Sequence, residues 1–222
     1  MAEIKIGNAK YVTLDDKTAC AESIDWSETT FQKTVKIEGK EYTVTRLGWV
    51  RYVKNIPDSV TSIGDMCGCS NITIPDSVTS IGRLSNCSNI SIPDSITMLN
   101  GIYRSTLTIP ASVTTIKEIS GEDGILCLRM ENATPPVLAK ATRLAKDDML
   151  IVPEGAAEAY KKHPVWGKFK NISEDPRLNA DSVSSPSSDK VSSKQKEKTE
   201  PKKDTPKPQP APAPKQEPKA EP

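Results

Sequence analysis

Apolar and polar residues along the middle of this chain follow a period much longer than that of a helix or a strand. IPDSVTSIG occupies 56–64 and recurs identically at 74–82. IPDSITMLN follows at 92–100 and IPASVTTIK at 109–117. The Ile-Pro pairs begin at 56, 74, 92 and 109, so the steps are 18, 18 and 17 residues. A degenerate copy, VTRLG at 44–48, precedes them. Alignment gives four apolar columns: Ile56, Ile74, Ile92 and Ile109; Val60, Val78, Ile96 and Val113; Ile63, Ile81, Leu99 and Ile116; Met66, Leu84, Ile102 and Ile119. Ser, Thr, Asp and Asn stand between them. Columns that stay apolar beside polar neighbours predict inward-facing positions of stacked rungs, which bury one continuous core.

ITIP (72–75), ISIP (90–93) and LTIP (107–110) alternate apolar and polar residues, as a half-buried strand does. Pro75, Pro93 and Pro110 lack the ladder donor and should end these strands. Ser59, Ser77, Ser95 and Ser112 follow, placed to bond turn backbone. Gly48, Gly64, Gly82 and Asn100 share a column of residues that tolerate positive φ. VTSI forms a second short extended segment before it. The repeats contain no 3.6-residue pattern. The outward positions Thr73, Ser91 and Thr108, flanked by Asn71 and Asn89, form the candidate partner-binding face of one long parallel sheet. Thr45, Thr61, Thr79, Thr97 and Thr114 form another column. Arg46 and Met98 interrupt the column beside it, so a structural ladder fits better than a flat ice-binding array.

A stack needs covered ends. At the C-terminal side MLIV (149–152) reads as a strand, Pro153 and Gly155 as a turn, and Ala156 to Lys162 as a helix ended by His163-Pro164. Trp166 and Phe169 supply apolar area for a seal. AEIKIGNAKYVTL could form one or two strands, and Trp26 and Phe31 suggest packing on the first rung. Residues 176–222 contain 10 of the 18 prolines and no aromatic residue. Without apolar periodicity to offset ordering entropy, a disordered Pro/Ser/Lys-rich tail is expected there.

Charge and chemistry narrow the function classes. Thirty basic and 29 acidic residues leave a net charge of +1, which provides no global field toward nucleic acid or an acidic membrane. Basic residues on the repeats are not interleaved with aromatics. No segment approaches the ~20 apolar residues of a membrane span. No basic-then-apolar leader follows Met1, so no signal peptide is expected. The five cysteines are Cys20, Cys67, Cys69, Cys87 and Cys127. Their odd number rules out a complete disulfide framework, and their spacing is not that of zinc ligands. Cys69 and Cys87 sit one repeat apart, close enough on stacked rungs to bridge. Small buried thiols are the preferred reading. The single histidine, His163, is expected to serve a helix C-terminus, not a triad. Asp58, Asp76 and Asp94 stack in register, but calcium takes six or more oxygens at varied spacing, so a solvated turn face fits better. No GxGxxG, P-loop or HExxH occurs. No catalytic, cofactor-binding or metal-binding residue, and no cofactor, is expected.

IPDSVTSIG with a cysteine shortly before the next strand resembles the BspA-like leucine-rich repeat, in which Ile-Pro occupies the strand end of LxxLxL. KIEGKEYTVTRLG (36–48) resembles the segment that opens such repeats. Residues 133–174 resemble their C-terminal cap, with Thr134-Pro135-Pro136, LIVPEG, Ala159-Tyr160-Lys161 and Trp166 in order. Family repeats usually carry several more residues with an Ala-Phe before the cysteine; DMCGCS and RLSNCS stand here instead. The expected fold is mostly β: a short leucine-rich-repeat solenoid of parallel strands, a small α/β C-terminal cap and a disordered tail. The expected divisions are 1–43, 44–124, 125–175 and 176–222. The resemblance implies a non-enzymatic, protein-binding adhesion module at a cell surface or secreted, with a host, matrix or envelope protein as partner. The missing leader leaves a cytoplasmic location open. The alternative is a structural spacer that presents the proline-rich tail. Oligomeric state is not legible.

Overall fold

The computed structural model describes residues 1–25, 27–121 and 124–178. Within them the chain is a solenoid of parallel strands. Each full rung carries two strands, so two sheets form where one was expected. The first sheet has 12 strands. Its repeat strands are Ser62–Ile63, Ser80–Ser85, Met98–Tyr103, Thr115–Ser120 and Val137–Thr142, with Ile81 opposite Leu99 and Leu99 opposite Ile116. The second sheet has six parallel strands: Ser70–Thr73, Ser88–Ser91, Thr106–Ile109, Cys127–Met130, Met149–Pro153 and Asn171–Asp175. All four apolar columns are buried between the sheets.

The strand anticipated only as the short segment VTSI is the longer of the two, and its full extent was not expected. It was hidden because it does not alternate: Ile81 and Leu84 both face inward, three residues apart, while Arg83 is exposed. The pairing skips Gly82 and Asn100 between Ile81–Leu99 and Arg83–Gly101. The strand bends there, at glycine in one rung and at asparagine in the next. Gly48, Gly64 and Gly82 do not use positive φ, contrary to expectation. They allow close approach of the rungs. A Cβ on Gly64 would lie 2.5 Å from the Gly48 carbonyl oxygen, and one on Gly82 would lie 2.7 Å from that of Gly64. Gly64→Ala is therefore expected to cost about 1–3 kcal/mol, typical of overpacking against backbone. A thermal melt at or above the parental midpoint would contradict this.

Positive φ belongs to the corner between the two sheets. Tyr52 (44°), Gly68 (66°), Asn86 (52°), Arg104 (44°) and Arg143 (49°) each follow a strand of the first sheet in the left-handed region. Tyr and Arg have no preference for it, so the stack imposes the turn. The opposite corner is the Pro-Asp-Ser turn. The amides of Val60, Val78, Ile96 and Val113 donate to the carbonyls of Pro57, Pro75, Pro93 and Pro110 at 3.0–3.1 Å. The serine hydroxyls reach further than their own turn. Ser59, Ser77, Ser95 and Ser112 donate to the carbonyls of Val44, Val60, Val78 and Ile96, one rung earlier, at 2.6–3.0 Å. Thr61, Thr79 and Thr114 likewise donate to Thr45, Thr61 and Thr97 carbonyls. The threonine ladder thus ties hydroxyl to backbone, not hydroxyl to hydroxyl. Two rows of side chains supplement the backbone bonds between rungs.

Both ends are covered. The antiparallel strands Glu3–Ile6, Ala9–Thr13 and Thr18–Ser23 extend the first sheet, and Thr18–Ser23 pairs in parallel with Lys40–Leu47. Phe31 is buried, and Asn55 accepts from its amide and donates to its carbonyl. Trp26, expected beside it, lies outside the described residues. At the C-terminal end the helix Ala157–Lys162 brings Tyr160 against Trp166 edge-on, with ring centres 5.7 Å apart. Trp166 stacks on Phe169 at 6.1 Å. Trp166 donates through Nε1 to the Pro136 carbonyl (2.8 Å), and Tyr160 through its hydroxyl to that of Asn132 (2.8 Å). Burial pushes the Tyr160 phenol above its ordinary range. Of the expected tail, Pro176–Leu178 belong to the cap as a 3-10 turn with Leu178 buried. The turn forms because the Asp175 carboxylate accepts from the Arg177 amide at 3.0 Å. The remainder of the tail reading lies outside the described residues.

Candidate partner-binding face

The five residues singled out in the sequence lie together on the outer face of the six-stranded sheet. Ile72, Ile74, Ile90 and Ile92 point into the core, which turns Thr73 and Ser91 to solvent. Thr73 pairs with Ser91, and Thr108 on the next rung is half-buried. With Asn71 and Asn89 they line a shallow depression of about 380 Å³.

Asn71 and Asn89 are more than flanking polar residues. Both hold left-handed backbone, φ 56° and 49°. The pairing runs Ser70–Ser88, then Ile72–Ile90, passing over the two asparagines. Each is one extra residue inserted into its strand, a local kink of the kind that re-aims neighbouring side chains. Asparagine tolerates the left-handed region better than other non-glycine residues. The Asn89 amide donates to the Asn71 side-chain oxygen at 2.8 Å, so the two kinks are tied together. The next rung, Thr106–Ile109, has no left-handed residue, and its repeat is one residue shorter. The inserted asparagine therefore separates the 18-residue steps from the 17-residue step. The kinked and unkinked strands pair only at Ser88–Thr106, and the depression lies where they part.

Ser70, Ser88 and Thr106 add an exposed, in-register hydroxyl row beside the asparagines. Sequence reasoning passed over them, although they too form a column of small hydroxyl residues. The face thus carries two hydroxyl rows and an amide pair, and none of its named side chains titrates near neutral pH. It can exchange hydrogen bonds with polar groups. It has no acid, base or nucleophile set for covalent chemistry. At its C-terminal border Arg129 stands opposite Thr108 and pairs with Asp175 at 2.6 Å. Arg177 also binds Asp175, and together these guanidiniums hold that carboxyl well below its ordinary range.

Cys69 and Cys87 are free, buried thiols stacked at one corner. Their hydrogen bond draws the Cys69 thiol down and holds Cys87 up, and burial adds to the rise at Cys87. Cys20, Cys67 and Cys127 are only partly buried, contrary to the expectation for all five. His163 caps the helix C-terminus through its backbone N–H, which donates to the Tyr160 carbonyl. Its Nδ1 accepts from the amides of Val165 and Trp166 at 3.2 Å, so the imidazole caps the following turn. Asp58, Asp76 and Asp94 are exposed turn residues, and Asp58 pairs with Lys33 at 2.8 Å. Among the described residues, no three His, Cys, Asp or Glu side chains group to hold a metal. No helix among them is long and apolar enough to cross a membrane.

One exposed cluster was missed entirely. Trp49 is 51% exposed, with the Arg51 guanidinium 3.6 Å from its ring centre. Tyr52 is 41% exposed at the neighbouring corner. The sequence signal was WVRY (49–52), where the later repeats carry small or polar residues in most of these columns.

No protein-family model and no curated protein matches the chain. Among solved structures, it is similar to a leucine-rich repeat protein from Bacteroides ovatus at 14% identity, over 77% of this chain and 76% of that one, with a TM-score of 0.23. A likeness at that level carries no argument about function.

Proposed function

We propose that this chain is a non-enzymatic, protein-binding repeat module, of the BspA-like leucine-rich type that its repeats resemble, acting in adhesion to a host, matrix or envelope protein at the cell surface. The observation that supports it most is the exposed hydroxyl and amide face built on Asn71, Thr73, Asn89, Ser91 and Thr108. Solenoids present such extended faces to partners. No large anchor stands on this face, so binding there is spread over many weak contacts. Single alanine changes should cost about 0.5–1.5 kcal/mol each, as for neutral hydrogen bonds.

The test is capture from matrix and envelope protein fractions by the immobilised full chain. Ser91→Arg places a bulky charge at the centre of the face and leaves the buried columns intact. Lys161→Glu, on the exposed side of the cap helix, is the control. The expected result is a captured protein that is retained by Lys161→Glu and lost by Ser91→Arg. Loss with Lys161→Glu alone would move the site to the cap. Capture of nothing by the parent would favour a spacer that presents the proline-rich tail.

A further inference from the structure

A second depression, of about 230 Å³, lies on the first sheet at its left-handed corner, away from the face described above. It is lined by Arg83, Ser85, Tyr103 and Arg104. Arg83 and Ser85 stand on the strand Ser80–Ser85; Tyr103 lies opposite Ser85 on the next rung, and Arg104 follows it. Arg83 and Arg104 are both exposed. Among the described residues neither takes part in a salt bridge. Three other arginines are engaged by side chains: Arg129 and Arg177 by Asp175, and Arg51 by Trp49. Here two guanidiniums on adjacent rungs border one depression, and the described residues that line it include no carboxylate.

The walls are held in place. The Tyr103 ring lies over Gly101, so closely that a Cβ there would sit 2.6 Å from it. Its hydroxyl donates to Glu118 at 3.0 Å, and Glu118 also pairs with Lys140 at 3.2 Å. The Glu118 carboxylate is thereby engaged by Tyr103 and Lys140. The Arg104 stem lies against Gly124, where a Cβ would come within 2.6 Å of its Cδ. Asp65, one rung before Arg83, turns its carboxylate to the Arg83 amide at 2.9 Å.

We propose that this depression binds a phosphate dianion, free or as a phosphomonoester. Two guanidiniums match its charge and offer forked donors to its oxygens. The Ser85 hydroxyl supplies a third donor, and the Tyr103 ring provides a flat wall for the group that an ester carries. A carboxylate would use only one of the two forks. The proposal is independent of the hydroxyl-amide face.

The experiment titrates the full chain with inorganic phosphate, with glucose 6-phosphate and with acetate, at fixed ionic strength, by calorimetry. One saturable phosphate site is expected. Arg83→Gln and Arg104→Gln should each weaken it roughly tenfold, as loss of a charge-assisted contact does. Lys36→Gln, on the strand Thr34–Ile37 that pairs with Lys40–Leu47, should leave it unchanged. Lowering the pH from 7.5 to 5.5 should weaken binding, because phosphate gives up its second charge near pH 6. Binding of both phosphates supports the site, and the tighter one identifies the source. Equal binding of acetate, insensitivity to both arginine changes, or unchanged affinity at pH 5.5 would overturn it. Matching melting curves of the variants establish that any loss is local.

Discussion

Ile74→Asp should leave the repeats unfolded at room temperature. Ile74 is 1% exposed, in the column formed with Ile56, Ile92 and Ile109. Removing its side chain from the core forfeits about 1.5–3 kcal/mol of burial. The carboxylate that replaces it has no partner there, and burying such a charge costs several kcal/mol more. Domains of this size hold about 5–15 kcal/mol in total. In a solenoid each rung rests on its neighbours, so failure in a central rung spreads to both sides. Ile74→Val should cost only about 0.5–1.5 kcal/mol and keep a cooperative melt. Circular dichroism and thermal denaturation check both. A parental melt for Ile74→Asp would mean that this column does not face inward.

Trp166→Ala should have the second-largest effect, about 3–5 kcal/mol. It removes the ring between Tyr160 and Phe169 and leaves the buried Pro136 carbonyl without its donor. The loss falls at one end of the stack. Exchange protection should vanish first in Val137–Thr142 and last in Ser80–Ser85. Trp166→Phe restores much of the area but not the N–H, and should recover most of the loss. Uniform loss of protection along the chain would show that the cap and the repeats open as one unit.

The contrast between these residues and those at the corners shows what the sequence exposes. Ile74, Val78, Ile81 and Leu84 could be read as core because a buried column must stay apolar in every copy. The proline turns were legible because proline cannot continue the ladder. The cap was legible from its helix formers and its clustered rings. The first sheet was legible only as the short segment VTSI, because the inward pair Ile81 and Leu84 spans Gly82 and gives no alternation. The left-handed corner was hidden for another reason. Tyr52, Gly68, Asn86 and Arg104 share a backbone conformation but no side-chain chemistry, so alignment of residue types cannot find them. The face was half legible. Alternation placed Thr73 and Ser91 outward. That Asn71 and Asn89 are inserted kinks was written only in the change of step from 18 to 17. The arginine pair at the corner was invisible because Arg83 and Arg104 occupy different columns and meet only across the stack.

The parallel, in-register stacking of the rungs is the claim from which the rest follows. Nuclear Overhauser contacts across the first sheet test it most directly. Ile63, Ile81, Leu99 and Ile116 should give sequential inter-strand contacts, 63 to 81, 81 to 99 and 99 to 116, between α-protons and amides of neighbouring rungs. Absence of these contacts, or close pairs of α-protons between those strands as in antiparallel pairing, would contradict it.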